Sequence, residues 1–166
     1  TGSRPNRKQI VRTLPSDLDT LTAKLQTVPM LRGLEAATLA QLAQSAIRRA
    51  YAPGGVVFLE GDTAPALCYV DAGWVKVVKR SPEWREQSLY VLGPGEIFGG
   101  VGICADRLAA ATAIALEAAE SLILLREAIR QVFTANPALA LAMFEFMASR
   151  ISELVEMVAA LSLQTV

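Results

Sequence analysis

Glycine decides what the middle of this chain can become. Between Pro53 and Leu125 it stands at positions 54, 55, 61, 73, 93, 95, 99, 100 and 102, whereas none interrupts residues 137–163. Each glycine inside a helix costs about 0.5–1 kcal/mol relative to alanine, so the first stretch cannot run as long helices. The segments between the glycines are rich in Val, Ile, Tyr, Phe and Trp, which suit a pleated, half-buried strand. Residues 56–59, 66–70, 74–78, 88–92, 112–116 and 120–125 read as strands. Pro53-Gly54-Gly55, Gly61-Asp62, Asp71-Ala72-Gly73, the polar segment 81–85 and Gly93-Pro94-Gly95 read as their connections. Gly61 and Gly73 fall where a strand turn needs positive φ, which glycine adopts cheaply. Short strands between regular turns predict a mainly β fold, an antiparallel roll or barrel.

Helices flank this region. Leu18, Leu21 and Leu25 share a helical face over 18–28, and Pro29 breaks the pattern before Gly33 turns the chain. Leu39, Leu42, Ala43 and Ile47 line one side of 35–48, which predicts a short amphipathic helix. Residues 126–133 suggest one or two further helical turns. Asn136-Pro137 then offers an N-cap and a proline at the first helical position. The long helix that follows places Phe144, Met147, Ile151, Leu154, Val158 and Leu161 at alternating intervals of three and four residues, the a and d positions of a coiled coil. Leu141, Ala148, Val155 and Ala159 add a second apolar flank. The expectation is that this flank meets the β domain while the a/d seam meets a second copy in a parallel homodimer. Residues 1–15, with Arg4, Arg7, Lys8 and Arg12, read as a basic arm without fixed structure. The organisation is thus an arm (1–15), a β-roll with flanking short helices (16–136) and a dimerisation helix (137–166).

Composition removes several functions. Hydrophobic residues make up 52% of 166 and charged residues 19%, a balance that packs a core. A formal net charge of zero leaves no broad basic footprint for nucleic acid. No apolar run reaches the ~20 residues that span a bilayer, and no signal-peptide pattern opens the chain. A cytoplasmic protein without a membrane partner is expected. There is no histidine, and Cys68 and Cys104 are the only cysteines. A His-containing catalytic triad, a Cys/His zinc site, a four-cysteine cluster and histidine-ligated haem therefore lack their ligands. No catalytic or metal-binding residue is assigned. An enzyme on a cupin-like β fold is disfavoured, because paired acidic residues are missing from the strands as well. Cys68 reads as a buried, inert thiol and Cys104 as loop filler.

One segment carries a more specific signal. Gly93-Pro94-Gly95-Glu96-Ile97-Phe98-Gly99-Gly100, an apolar loop, and then Ala109-Ala110-Ala111-Thr112-Ala113-Ile114-Ala115-Leu116-Glu117 resemble the phosphate-binding cassette of cyclic-nucleotide-binding domains. Val28-Pro29-Met30-Leu31-Arg32-Gly33-Leu34, Tyr51-Ala52-Pro53-Gly54, Glu60-Gly61-Asp62 and Tyr69-Val70-Asp71-Ala72-Gly73-Trp74-Val75-Lys76-Val77 precede it in the order and spacing of the Crp–Fnr family of transcription regulators. The resemblance implies an antiparallel β-roll of jelly-roll type, a dimerisation helix, and then a helix-turn-helix DNA-binding domain. No such domain lies within this chain, and Leu161-Ser162-Leu163-Gln164 carries no Gly or Pro cap, which reads as the sensor half of a longer regulator.

The resemblance also implies a change of chemistry. Family members place a Glu after Phe-Gly, where it accepts from a ribose hydroxyl, and an Arg that pairs with the cyclic phosphate. Gly100 and Ala109 stand there instead, and Ala110 lacks the hydroxyl that often follows the Arg. The candidate pocket comprises Phe98, Gly99, Gly100, Val101, Arg107, Ala109, Ala110 and Thr112. Backbone amides from Gly99 to Val101, opening a short cassette helix, are the expected anion donors. Arg107 is either a replacement counter-charge or a solvated partner of Asp106. The reading is an effector-sensing, dimeric domain in which cyclic nucleotide is disfavoured. The alternatives are a dimeric interaction module that binds nothing small, and a cyclic-nucleotide sensor rescued by Arg107.

Overall fold

Strand β4 (Leu67–Ala72) builds two cores at once. Successive side chains of a strand point to opposite faces. Leu67 and Tyr69 therefore enter one apolar cluster while Cys68 and Val70 enter another. Its neighbours β7 (Ile97–Gly99) and β9 (Ala119–Leu124) divide likewise, with Ile97, Leu122 and Leu124 on one side and Phe98 and Ala119 on the other. Strands covered on both faces read as apolar runs, as Leu67-Cys68-Tyr69-Val70 and Leu122-Ile123-Leu124 do.

The computed structural model describes residues 11–15, 17–65, 67–83, 85–100, 102–103 and 106–164. Within them, β1 (Val11–Thr13) and β2 (Ile47–Tyr51) complete a five-stranded antiparallel sheet in the order β1-β2-β9-β4-β7. A four-stranded antiparallel sheet runs β3 (Val56–Phe58), β8 (Thr112–Ala115), β5 (Val75–Arg80), β6 (Glu86–Leu92). Val57, Val70, Val75, Val77, Leu92 and Phe98 fill the space between the sheets. The other cluster joins Leu67, Leu122 and Leu124 to α1 (Leu18–Gln26), α2 (Ala36–Ser45), α3 (Arg126–Ala135) and the start of α4 (Pro137–Leu163), through Leu25, Leu42, Ile129, Leu139 and Met143. The fold is the expected antiparallel β-roll with flanking helices and a long C-terminal helix. Among the described residues no helix is long and apolar enough to cross a membrane.

Several boundaries differ from expectation for identifiable reasons. The helix expected over 35–48 stops at Ser45, and Ile47 and Arg48 open β2. Antiparallel pairing with β9, from Ile47 opposite Ile123 to Tyr51 opposite Ala119, overrides the local helical pattern. Arg48 adds an ion pair to Glu120 at 2.6 Å. The expected unstructured arm is ordered at Val11–Thr13, which pairs with Tyr51, Ala50 and Arg49, while residues 1–10 lie outside the described region. Pro29 starts a single 3-10 turn, Pro29–Leu31, that buries Leu31 rather than merely ending α1. Asn136 occupies the N-cap position of α4, but its side-chain amide donates back to the Val132 carbonyl at 3.0 Å and does not cap the helix.

Gly73 shows why the turns are spelled as they are. Its φ is +73°, and a Cβ there would lie 2.3 Å from the Ala118 carbonyl oxygen, so both backbone and space require glycine.

Candidate functional site

A cavity of about 230 Å³ opens between the roll and α4. Its floor is Phe58, Val77, Leu92 and Phe98 from the strands, with the Phe58 and Phe98 rings stacked at 5.9 Å between centroids. Gly99, Ala109, Ala110 and Ala111 form a wall of small residues, because the cassette backbone passes close to the cavity and adds little side chain. The opposite wall is α4, which contributes Phe146, Met147, Arg150, Ile151 and Leu154. Ala64 and Pro65, and Leu89 and Tyr90 of β6, close the sides.

The expected pocket residues divide. Phe98, Gly99, Ala109 and Ala110 line the cavity. Gly100, with φ +96°, faces the helix: a Cβ there would lie 3.2 Å from the Met147 sulfur. Thr112 is buried beside the cavity, and its hydroxyl accepts from the Glu60 amide at 3.0 Å. Arg107 is exposed and outside the lining, and its carbonyl accepts from the Ala64 amide at 2.8 Å. Asp106 pairs with Arg126 rather than Arg107. Arg126 also holds the Gly102 carbonyl at 2.6 Å, which ties the cassette loop to α3. Val101 lies outside the described residues, as does Cys104. Gly102 and Ile103 form a turn, not the expected helix start, with the Ile103 amide donating to Gly100 at 3.2 Å. The proposed helix N-terminus for an anion is therefore not formed by these residues.

The charge at the cavity comes from a residue the sequence reading passed over. Arg150 is the one basic residue between Pro137 and Leu163, and that solitude was the available signal. Its guanidinium carbon lies 4.9 Å from the Tyr90 ring centroid and 5.2 Å from that of Phe146. Nη1 donates to Glu153 at 3.0 Å. Cation–π contacts of this kind fix a guanidinium in place while its N–H edge stays available. Burial pushes the Tyr90 phenol above its ordinary pKa; Arg150 opposes that shift and Glu153 adds to it. Burial also pushes the Cys68 thiol up to about 12, so it stays protonated in the roll. Among the described residues no cluster of His, Cys, Asp or Glu could hold a metal ion.

The long helix carries two faces. Met147 and Leu154 turn toward the roll and line the cavity, half-buried. Leu141, Phe144, Ala148, Ile151, Val155 and Val158 are exposed, at intervals of three and four residues. The individual exposures of Phe144, Ile151, Val155 and Val158 are 71%, 60%, 62% and 63%. Of the expected seam, Phe144, Ile151 and Val158 are exposed, whereas Met147 and Leu154 face inward; the flank residues Ala148 and Val155, expected against the β domain, face outward. Leu161, the last seam residue, is 42% exposed.

Comparison with known proteins agrees with this geometry. The model of the cyclic nucleotide-binding domain family matches residues 48–136. The cyclic AMP receptor protein of Thermus thermophilus is 33% identical over 106 residues, 64% of this chain and 49% of that protein. A CRP-like cAMP-activated global transcriptional regulator of Mycobacterium tuberculosis is 25% identical over 122 residues, 74% of this chain and 54% of its own length. This chain spans about half the length of these curated relatives. The crystal structure of the Thermus thermophilus catabolite activator protein superposes with a TM-score of 0.69 at 30% identity, over 81% of this chain and 63% of that one. The sensor domain of the transcriptional regulator DNR from Pseudomonas aeruginosa shares the fold, with a TM-score of 0.74 at 24% identity, over 84% and 93% of the two chains.

Proposed function

The chain belongs to the cyclic nucleotide-binding domain family, and from that premise we propose that it is the effector-sensing and dimerisation domain of a Crp–Fnr-like transcription regulator whose pocket has lost the usual cyclic-nucleotide chemistry. The cavity between the cassette and the long helix carries this reading. It lies against the cassette, yet among the described residues no charged side chain of the cassette lines it. Two charge-assisted hydrogen bonds at roughly 1.5–3 kcal/mol each are missing, which weakens a cyclic nucleotide by roughly 100-fold to 10,000-fold if the losses add. Arg107 offers no support for a rescue, because its side chain is exposed away from the lining.

The signal route follows from α4. Ile151 lines the cavity and is also 60% exposed on the apolar stripe. A second copy packing along Leu141, Phe144, Ala148, Ile151, Val155 and Val158 would bring its own helix beside the pocket. An effector that changes how α4 lies on the roll then changes how the two helices pack. In the whole protein that movement is passed to a DNA-binding domain beyond the helix.

Calorimetric titration of the chain with cyclic AMP and cyclic GMP tests the pocket reading. We expect no micromolar binding and no rise in melting temperature at millimolar nucleotide. Micromolar binding of either nucleotide overturns it.

A further inference from the structure

Among the described residues the cavity is lined by one cation, Arg150, in mostly apolar surroundings, and that asymmetry specifies a ligand. We propose that the pocket takes a small amphipathic monoanion, an apolar ring or short chain ending in a single carboxylate, with Arg150 binding the head. The inference rests on the effector-pocket reading above and names its ligand class.

Three observations converge. The volume, about 230 Å³, falls below the ~300–1,000 Å³ of sites for drug-sized ligands and above the ~150 Å³ cavity that holds benzene. Phe58, Phe98, Met147 and Leu154 offer no hydrogen bond to a ligand body, and the polar groups of the lining are few, the Tyr90 hydroxyl, Arg150 and cassette backbone, so each ligand donor or acceptor that these do not reach costs about tenfold or more in affinity. Arg150 spends one of five N–H donors, on the half-exposed Glu153, and its other donors have no protein partner among the described residues.

The charge balance selects the head group. A carboxylate matches the planar fork of a guanidinium and can take two of its donors at once. A neutral oxygen can accept from Arg150 but lacks the charge that makes a carboxylate contact the stronger one. A cationic ligand meets Arg150 as a like charge. Glu153 competes for the same guanidinium from the solvent side, its side chain 54% exposed, so it sets the affinity for the anion without blocking the cavity. Because Arg150 and Glu153 belong to the helix that carries the apolar stripe, head-group binding exchanges an intrahelical ion pair for one that ties α4 to the ligand.

Octanoate, octan-1-ol and octylammonium, titrated calorimetrically into the 166-residue chain and into Arg150→Met and Glu153→Gln variants, test this. Octanoate should bind the unaltered chain best and shift the Met147 methyl resonance. Arg150→Met, which keeps an apolar stem against Tyr90 and Phe146, should weaken octanoate by about 10-fold to 100-fold and octan-1-ol much less. Glu153→Gln should tighten octanoate several-fold, and this variant decides the matter should Arg150→Met fail to fold. Octan-1-ol binding as tightly as octanoate, or octanoate indifferent to both substitutions, overturns the head-group assignment while keeping the cavity as a pocket. Failure of all three probes to bind or to move the Met147 resonance overturns the pocket reading itself.

Discussion

The two walls of the cavity are made differently. The cassette wall is backbone and small side chains, with Ala109 and Ala111 buried and Phe98 only 5% exposed. The helix wall is large side chains on a half-exposed helix, with Phe146, Met147, Arg150 and Leu154 each partly accessible. The first wall is mostly core that faces a void; the second is a partly exposed helix laid over it. In the family pattern that this chain resembles, charge sits on the first wall. Here the cation sits on the second. A ligand held by the helix acts directly on the element that would transmit the signal.

That difference predicts unequal costs of truncation. Phe98→Ala should destabilise the chain by about 3–5 kcal/mol, as removal of a buried aromatic does. Leu154→Ala should cost about 1 kcal/mol, because only part of its side chain leaves water. Urea unfolding at one fixed protein concentration compares them, since self-association would otherwise shift the apparent stability. Equal losses would mean that α4 is as much a part of the core as the cassette strand.

The second contrast lies within α4, between residues that face the roll and residues that face out. Val155→Glu should weaken self-association by roughly 100-fold in sedimentation equilibrium, the scale of a central interface residue. Leu154→Glu should instead disturb the cavity and leave more of the dimer intact. The reverse result would restore the register of Met147 and Leu154 as the seam.

The sequence alone could not choose between these registers. α4 has apolar residues around most of its circumference, so the series through Met147 and Leu154 and the series through Ala148 and Val155 both satisfy a three-four spacing. Only contact with the roll assigns one to the cavity. The strands and their turns were legible because glycine and proline mark them locally. β1 and β2 were not, because Val11-Arg12-Thr13 and Ile47-Arg48-Arg49-Ala50-Tyr51 carry no clean alternation and are strands through their partners. The small-residue wall was legible as substitutions in a recognisable cassette. Arg150 was hidden because a lone arginine in a helix ordinarily reads as a solvated charge; its meaning depends on Tyr90, sixty positions earlier in the chain.

The cassette wall should also resist restoration. Ala109 is 5% exposed and lines the mostly apolar cavity, so Ala109→Arg brings a second cation beside Arg150 into poorly hydrated surroundings and should cost about 1–3 kcal/mol. Gly100 has φ +96°, so Gly100→Glu should cost a similar amount, about 1–3 kcal/mol, through backbone strain alone. Thermal unfolding of each variant measures the losses, and calorimetry with cyclic AMP asks whether the double variant gains binding. Restored micromolar binding without loss of stability would show that the cassette is still shaped for a nucleotide.

The smallest effect probes how tightly the strand side is closed. Cys68, paired in register with Phe98, is wholly buried, and burial raises its thiol pKa to about 12. The unfolded chain ionises this thiol at its ordinary, lower pKa. Between those two values the folded state holds a proton that the unfolded state has released, so stability is lost as pH rises. The loss cannot exceed one proton, or about 1.4 kcal/mol per pH unit. Cys68→Ala removes that dependence: the variant should be less stable than the unaltered chain near neutral pH, and the gap should narrow toward about pH 10. Urea unfolding at several pH values reads the gap, and Cys104, present in both proteins, cancels from the difference. Parallel curves would mean that solvent reaches the thiol in the folded state, and the strand wall would then be as open as the helix wall opposite it.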